Sequence, residues 1–258
     1  MSEFSTLQVT RGEHVTVRLN RPEVRNAIDQ AMVDELHAVC QELEQDPKVL
    51  VIMGSAPHTD DDGREHKGVF ASGADIAQLR ERRRDDALAG INSGVFERIA
   101  KLPMPVIAAI DGYCLGGGAE LAYAADLRIG TPDLRIGNPE PGLGILAAAG
   151  ASWRLKELVG EPRALEILLA GRVVNGQTAL EWGLVTRLVD SAELESAAAE
   201  LAGAVAAQDP LAIRLTKEVF HAPRSAHPMV DRAAQATLFE SPAKFERMTA
   251  FLERKKKR

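Results

Sequence analysis

The stretch GYCLGGGAELAYAADLRIG, residues 112–130, places three consecutive glycines just before a glutamate, Glu120, in an otherwise apolar run. The preceding residues, MPVIAAIDG (104–112), predict a buried strand, and the residues after the glycines predict a helix. Glycine is unfavourable inside a helix, and a carboxylate is costly in a core. Local propensity therefore does not explain why glycines and a glutamate stand together at one strand-to-helix junction.

A helix that begins on glycines presents backbone N–H groups without intrahelical partners, and the helix dipole adds partial positive charge there. Because glycine has no side chain, a ligand can approach that backbone closely. Such a junction can bind a phosphate or stabilise a developing oxyanion. It is not a P-loop, since no Gly-Lys-Ser/Thr follows, and it does not match the GxGxxG spacing of dinucleotide-binding loops. The glycines alone are equally compatible with close packing of helix on strand.

Two carboxyl groups are candidate catalytic groups. Burial would raise the pKa of Glu120, while the helix N-terminus would lower it. Glu140 stands in NPEPGLG (138–144), where flanking prolines stiffen the backbone. A carboxyl with a tuned pKa beside an oxyanion site is suited to acid–base catalysis. Taken alone, Glu140 is also compatible with an exposed turn glutamate.

The composition is that of a soluble globular protein. The chain has 258 residues, 45% of them hydrophobic, and a formal net charge of −6, which does not favour nucleic-acid binding. No run is long and apolar enough to span a membrane, and no secretory signal is visible, so a cytoplasmic location is expected. The two cysteines do not suggest a disulfide framework. The basic end ERKKKR (253–258) predicts a solvated helix end or a phosphate contact.

The hydrophobic pattern predicts a mixed α/β body, residues 1–190, followed by a helical region, residues 191–258. The body is expected to begin with a hairpin around Arg11–Gly12 and a helix capped by Asp29. Strands are expected at 49–54, 104–112, 126–130, 134–140 and 184–190, and a helical segment weakened near Gly90 at 74–102. C-terminal helices are expected at 191–207, 210–221, 227–240 and 241–256, with Ser191 as the cap of the first.

Five motifs together resemble the crotonase, or enoyl-CoA hydratase/isomerase, family: LNRPEVRNAI (19–28), FASGADI (70–76), PVIAAIDGYCLGGGAEL (105–121), DLRIG (126–130) and GNPEPGLG (137–144). They occur in the family's order, and the resemblance extends from about Val15 to the C-terminus. It implies a spiral of ββα turns with C-terminal helices that build trimers or dimers of trimers. It also implies an acyl-coenzyme A thioester as the substrate, with no metal and no further cofactor.

The resemblance assigns roles by position. The backbone N–H groups of Ala74 and Gly117 match the oxyanion hole that holds the thioester oxygen. Glu120 and Glu140 match the two glutamates that hold the catalytic water in hydratases. The motif positions that match coenzyme A contacts are Arg25, Ala27, Ala74, Asp75, Ile76 and Gly117, together with Phe251 and Arg254 on the last helix of a neighbouring subunit.

Both glutamates favour an enoyl-CoA hydratase, whereas family isomerases commonly retain only the second. A Δ3–Δ2 isomerase, another acyl-CoA enzyme of this fold and a non-catalytic acyl-CoA- or RNA-binding member remain alternatives.

Three departures from the family pattern leave details open. Ala77 stands where many members have lysine, and the alanines 147–149 replace glycines and a proline that shape the acyl pocket. The loop 55–68 is longer than usual and carries His58, His66 and Asp60–Asp62. Because these side chains fit no metal-ligand spacing, an acidic surface loop is expected.

Overall fold

The computed structural model describes residues 4–59, 63 and 65–256. Up to residue 137 its elements are β1 (Leu7–Arg11), β2 (Val15–Leu19), α1 (Gln30–Gln45), β3 (Leu50–Met53), β4 (His58–Thr59), β5 (Glu65–His66), β6 (Val69–Ala71), α2 (Ile76–Glu81), α3 (Arg84–Ala89), α4 (Ile91–Ala100), β7 (Val106–Ile110), β8 (Tyr113–Leu115), α5 (Gly117–Ala124), β9 (Leu127–Gly130) and β10 (Arg135–Gly137). After it they are α6 (Ala151–Val159), α7 (Glu161–Ala170), β11 (Val173–Asn175), α8 (Gly176–Trp182), α9 (Leu194–Ala206), α10 (Pro210–Phe220), α11 (Met229–Phe239) and α12 (Pro242–Lys256). Short 3₁₀ turns occupy Pro22–Val24, Glu140–Leu143, Ser191–Glu193 and Arg224–Ala226.

Two sheets are built by a repeating strand–strand–helix turn. The first sheet has the order β1-β2-β3-β7-β9, and the second has the order β11-β10-β8-β6. β3, β7 and β9 enter the first sheet, and each is followed by a strand of the second, β6, β8 and β10. Neighbouring strands within each triplet are parallel. This repeat is the expected ββα spiral.

The N-terminal hairpin and the first helix form as predicted. β1 pairs antiparallel with β2. Asp29 caps α1, its carboxylate accepting a hydrogen bond of 2.9 Å from the backbone N–H of Met32. The apolar residues of α1 are buried in the main core, whose other members include residues of β2, β3 and β7. The cap and the apolar face therefore specify this helix at its start and along its length.

The central strands of the first sheet bury both faces. Because side chains alternate along a strand, Leu50 and Ile52 of β3 join the main core while Val51 and Met53 face the other side. On that other side α9 covers the sheet with small and apolar residues, Leu194, Ala197, Ala198 and Ala202. The helix that follows residue 190 thus packs on the sheet, and the division at 190/191 stays a prediction.

Several local predictions are wrong. Residues 184–190 do not form a strand. They make a single bridge to β9, Leu188 to Gly130, with backbone hydrogen bonds from Thr186 and Val189. The pattern does not predict β11, which has only three residues. Ser191 does not cap α9, since its hydroxyl donates to the Asp111 carboxylate. The helical segment 74–102 breaks near Gly90, as predicted. It also breaks between α2 and α3, which the sequence did not predict.

We expect Gly118→Ala to destabilise the fold by roughly 1–3 kcal/mol, the usual cost of overpacking. A Cβ on Gly118 would lie 2.4 Å from the backbone oxygen of Ala71 and 2.7 Å from its Cβ, so α5 would have to move away from β6. The control is Gly94→Ala in α4, where an added Cβ meets no atom within 4 Å and should stabilise by up to about 1 kcal/mol. Urea unfolding measures both, and equal losses would contradict this packing account.

Candidate active site

Three predicted site segments meet because three parallel strands end at one edge of the second sheet. β6, β8 and β10 are neighbours in that sheet and run in the same direction. Ala74 follows β6, Gly117 opens α5 directly after β8, and Glu140 follows β10. Glu120 lies in the first turn of α5. The carboxyl ends of parallel strands are where open α/β sheets bind ligands, so the fold itself gathers these four residues.

Each of the three consecutive glycines meets a different steric demand. Gly116 has a φ of 52°, which favours glycine, and a Cβ there would lie 3.1 Å from Oε1 of Glu140. A Cβ on Gly117 would lie 3.4 Å from the backbone nitrogen of Ala74. Gly118 allows the close approach to β6 described above. The run therefore both packs α5 on the sheet and keeps space open beside the carboxyl and the Ala74 amide.

The N–H groups of Ala74 and Gly117 are available as donors. Within the described part of the chain, neither donates to a backbone or side-chain acceptor. The two segments are in contact, since a Cβ on Gly73 would lie 3.8 Å from the Gly117 nitrogen. The Gly117 N–H also stands at the positive end of the α5 dipole. These two amides can stabilise negative charge on one oxygen atom.

Glu120 is a buried carboxyl held by backbone amides. Its side chain is only 4% exposed, and its Oε1 accepts hydrogen bonds from the N–H groups of Ala149 at 2.7 Å and Ala151 at 3.2 Å. Burial raises the pKa of Glu120 to about 7; these N–H groups oppose the rise, and the neighbouring Glu140 adds to it. Burial therefore outweighs the hydrogen bonds from the backbone amides in setting the pKa of Glu120. The alanine-rich stretch 147–149 contributes a backbone donor to this carboxyl.

Glu140 is buried too, and one of its oxygens is unengaged. It opens a 3₁₀ turn after Pro139 and is 7% exposed, so it is not an exposed turn glutamate. Oε1 accepts a hydrogen bond of 3.4 Å from Asn138, whereas Oε2 has no partner among the described residues. Burial raises the pKa of Glu140 as well. Two carboxyls with raised pKa values thus lie at the same end of the second sheet.

Asn138 and Tyr123 are site residues that the sequence did not reveal. The buried Tyr123 hydroxyl donates to Oδ1 of Asn138 at 3.2 Å, which turns the Asn138 amide nitrogen towards Glu140. Asn138 thereby orients the Glu140 carboxyl. The available signal was an asparagine two residues before a catalytic candidate.

A cavity of about 480 Å³ opens onto both carboxyls and onto the Ala74–Gly117 pair. Its lining includes the apolar side chains of Ile76, Ile91, Leu143, Ile145 and Leu146. Asn92, Arg82 and Arg83 contribute polar groups to the same lining. The cavity thus combines apolar side chains with the oxyanion-type donors and the two carboxyls.

The loop at 25–28 lies beside the Ala74 segment, as the predicted coenzyme A contacts require. Ser72 donates its N–H to the Arg25 oxygen at 3.0 Å, and Asp75 donates its N–H to the Ile28 oxygen at 2.9 Å. Asn26 anchors this loop: it is fully buried and donates to the Val69 and Phe70 oxygens. The sequence had pointed to its neighbours, Arg25 and Ala27, instead. The predicted coenzyme contacts of Arg25, Ala27 and Ile76 stay predictions.

Other predicted residues have different surroundings. The Asp75 carboxylate caps α2, accepting from the N–H of Gln78 at 3.1 Å. Phe251 and Arg254 lie exposed on α12 and do not line the cavity of their own chain. A contact between them and a coenzyme in this cavity would come from another copy, as the resemblance implied.

Metal binding and membrane insertion receive no positive indication in the described ranges. There, no group of three or more His, Cys, Asp and Glu side chains is placed to hold a metal ion. None of the helices described is long and apolar enough to cross a membrane. Asp60–Asp62 lie outside the described residues. Cys40 and Cys114 are buried and unpaired.

Comparison with known proteins shows the family of this chain. A family model described as enoyl-CoA hydratase/isomerase matches residues 12–258. The chain belongs to the enoyl-CoA hydratase/isomerase, or crotonase, family. A short-chain enoyl-CoA hydratase of Clostridium acetobutylicum is 32% identical, over 95% of this chain and 93% of the relative. A crotonyl-CoA hydratase of Syntrophomonas wolfei is 34% identical, over 92% and 91%.

The solved structures agree with the sequence relatives. An enoyl-CoA hydratase from Bacillus anthracis matches with a TM-score of 0.88 at 28% identity, covering 97% of each chain. The predicted family and fold class are thereby confirmed. Membership of the crotonase family implies an enzyme whose substrate is an acyl-CoA thioester. The trimer-forming role of the C-terminal helices stays a prediction.

We expect Glu120→Gln to stabilise the protein at neutral pH relative to wild type. The folded pKa of Glu120, about 7, lies above its ordinary value of 4.5, so ionisation opposes folding. The contribution of Glu120 to the free energy of unfolding of the wild type is therefore complete below pH 4.5, and it is lost as the pH rises towards 7. Glutamine keeps an acceptor for the two amides but cannot ionise.

The difference in unfolding free energy between Glu120→Gln and wild type should grow through that window and level off above it, reaching on the order of 3 kcal/mol. Denaturant unfolding between pH 4.5 and 8 measures it. Glu200→Gln, on the exposed side of α9, is the matched control. A pH-independent difference for Glu120→Gln would contradict the raised pKa.

Proposed function

We propose that the chain is an enoyl-CoA hydratase, which adds water across the trans-2 double bond of an enoyl-CoA thioester and yields a 3-hydroxyacyl-CoA. The observation that carries this proposal is one cavity that presents two buried carboxyls and two unengaged backbone N–H groups. A hydratase needs both kinds of group, because it must activate a water molecule and stabilise an enolate.

The backbone amides act on the thioester carbonyl. With its oxygen between the Ala74 and Gly117 N–H groups, the carbonyl withdraws electron density from the conjugated double bond and makes the β carbon electrophilic. When the water oxygen attacks that carbon, the double-bond electrons move towards the carbonyl oxygen and an enolate forms. Aimed amides stabilise this charge more than they stabilise the ground state, which is what lowers the barrier.

The carboxyl pair moves two protons. The ionised carboxyl accepts a proton from the attacking water, and the protonated carboxyl donates one to the α carbon as the enolate collapses. The pKa values of Glu120 and Glu140 are both raised by burial, and the Glu140 charge adds to the rise at Glu120. Between its two macroscopic pKa values, such a pair holds a single proton and so offers one base and one acid together.

We expect Glu120→Gln and Glu140→Gln each to lower kcat by roughly 10²–10⁴, the usual worth of one positioned acid or base. The double variant should be far less impaired than the product of the single effects, because both groups act on one water. Binding of a saturated acyl-CoA should change little. The assay follows the loss of enoyl-thioester absorbance over a panel of trans-2-enoyl-CoA chain lengths.

The same variants separate the hydratase from the alternative. An isomerase moves a proton between two carbons of the acyl chain and uses one carboxyl. If Glu120→Gln hydrates trans-2-enoyl-CoA at the wild-type rate, while Glu140→Gln loses conversion of a trans-3-enoyl-CoA, the chain is a Δ3–Δ2 isomerase instead. The proposed chemistry uses no metal and no cofactor beyond the coenzyme A of the substrate, and we propose a cytoplasmic location for it.

We also propose a homotrimer or a dimer of trimers, assembled through the C-terminal helices. None of the residues of α10 and α11 is buried, and large apolar side chains are exposed there: Phe220 at 79%, Met229 at 72% and, on α12, Phe251 at 62%. Faces of this kind are normally covered by a partner. Light scattering at micromolar concentration should show three or six chains, and a monomer alone would contradict the assembly.

A further inference from the structure

Asn92, the second residue of α4, contributes an unengaged donor to the cavity. Its Oδ1 accepts a hydrogen bond of 2.8 Å from the Arg82 guanidinium. Its Nδ2 is buried and has no hydrogen-bond partner among the described residues. Glu140 Oε2 is also a buried polar atom without a hydrogen-bond partner among the described residues. Asn92 and Glu140 line the same cavity. A buried donor without a partner destabilises the protein, so a ligand that accepts a hydrogen bond from it would recover that loss.

The orientation of the Asn92 amide follows from its partner. A guanidinium group can only donate hydrogen bonds, so the oxygen of Asn92 must face Arg82 and the NH₂ group must face the other way. The charge on Arg82 also polarises the amide through its oxygen, which makes the NH₂ group a better donor. Arg82 is therefore a positioning residue for Asn92.

The Asn92 donor lies next to the two backbone donors. A Cβ placed on Gly117 would stand 3.8 Å from Asn92 Nδ2 and 3.4 Å from the Ala74 nitrogen. One small region against the Gly117 backbone is thus approached by the Ala74 N–H from one chain segment and by the Asn92 NH₂ from another. The Arg82 guanidinium is itself held at Asn92 by its 2.8 Å hydrogen bond.

We propose that Asn92 is a third hydrogen-bond donor to the thioester carbonyl oxygen, oriented by Arg82. This inference rests on the proposed thioester site but not on the hydration step. As the enolate forms, its oxygen carries the charge that all three donors face. The Asn92 amide supplies this stabilisation by hydrogen bonding and carries no charge of its own.

The first experiment measures carbonyl polarisation directly. Saturated butyryl-CoA, labelled with ¹³C at the thioester carbonyl, is bound to the full-length protein, and its carbonyl stretch is recorded by isotope-edited infrared spectroscopy. Hydrogen bonds lower this frequency. We expect a shift to lower frequency in the wild-type protein and a clearly smaller shift in Asn92→Leu. An equal shift in the two proteins, or no shift in the wild type, would overturn the proposal.

The second experiment separates the donor from its orientation. Asn92→Asp keeps an acceptor for Arg82 but removes the NH₂ group, so the carbonyl shift should shrink as it does in Asn92→Leu. Arg82→Met should shrink the shift partly, since the amide is no longer held. Arg84→Met, an exposed arginine at the start of α3 that does not line the cavity, is the matched control and should leave the shift unchanged. Thermal unfolding checks that each variant is folded.

The kinetic readout addresses the competing role of Asn92. Asn92→Leu should lower kcat for crotonyl-CoA by roughly 10²-fold, the lower end of the cost of losing one oxyanion donor. If crotonyl-CoA is hydrated normally and only thioesters with an oxygen-bearing acyl chain are affected, Asn92 contacts the acyl group and the proposal is wrong. If the wild type hydrates nothing but the infrared shift depends on Asn92, the hydratase proposal fails and this one stands.

Discussion

The close approach of α5 to β6 is the constraint on which the site depends. At Gly118 the helix backbone lies so near Ala71 that a single methyl group would collide with it. This contact brings the first N–H of α5 beside the chain that leaves β6, and so brings Gly117 beside Ala74. Because β10 is parallel to β8 in the same sheet, Glu140 arrives at the same edge. Packing and chemistry are therefore consequences of the same glycine run.

The electrostatics of the cavity follow from that placement. A carboxyl in the first turn of a helix would ordinarily have a low pKa, because the helix N-terminus favours its charge. The pKa of Glu120 instead rises to about 7, because burial outweighs the hydrogen bonds from the backbone N–H groups of Ala149 and Ala151. Glu140, buried across the same cavity, adds to the rise. Burial of this carboxyl thus destabilises the fold when the carboxyl ionises, and a pKa raised in this way is useful where a proton has to be exchanged.

The sequence predicted the parts of this structure that depend on local patterns and contiguous motifs. The Asp29 cap, the hairpin, the first helix and the C-terminal helices follow from periodicity and capping, and the motifs located the two glutamates and the two backbone donors. It did not predict features set by distant partners. Residues 184–190 meet β9 in a single bridge, and the Ser191 hydroxyl donates to the Asp111 carboxylate. Asn26, Asn138 and Asn92 acquire their roles from tertiary hydrogen bonds to Val69, Tyr123 and Arg82, which no local pattern predicts.

These three asparagines show that the same side chain can have a structural role in one place and a functional role in another. Asn26 is fully buried with its oxygen and nitrogen both engaged, and it fixes a loop. Asn138 is oriented by Tyr123 so that its nitrogen meets a carboxylate. Asn92 is oriented in the same manner by Arg82, but its nitrogen meets no protein acceptor in the described residues. A core selected for stability alone would satisfy that nitrogen, as it satisfies the other two. The Asn92 nitrogen instead lies near two backbone N–H groups that also lack a partner in the described residues, and one oxygen of Glu140 in the same cavity lacks one too. These free hydrogen-bonding groups therefore occur where a thioester and a water molecule would meet in the proposed reaction.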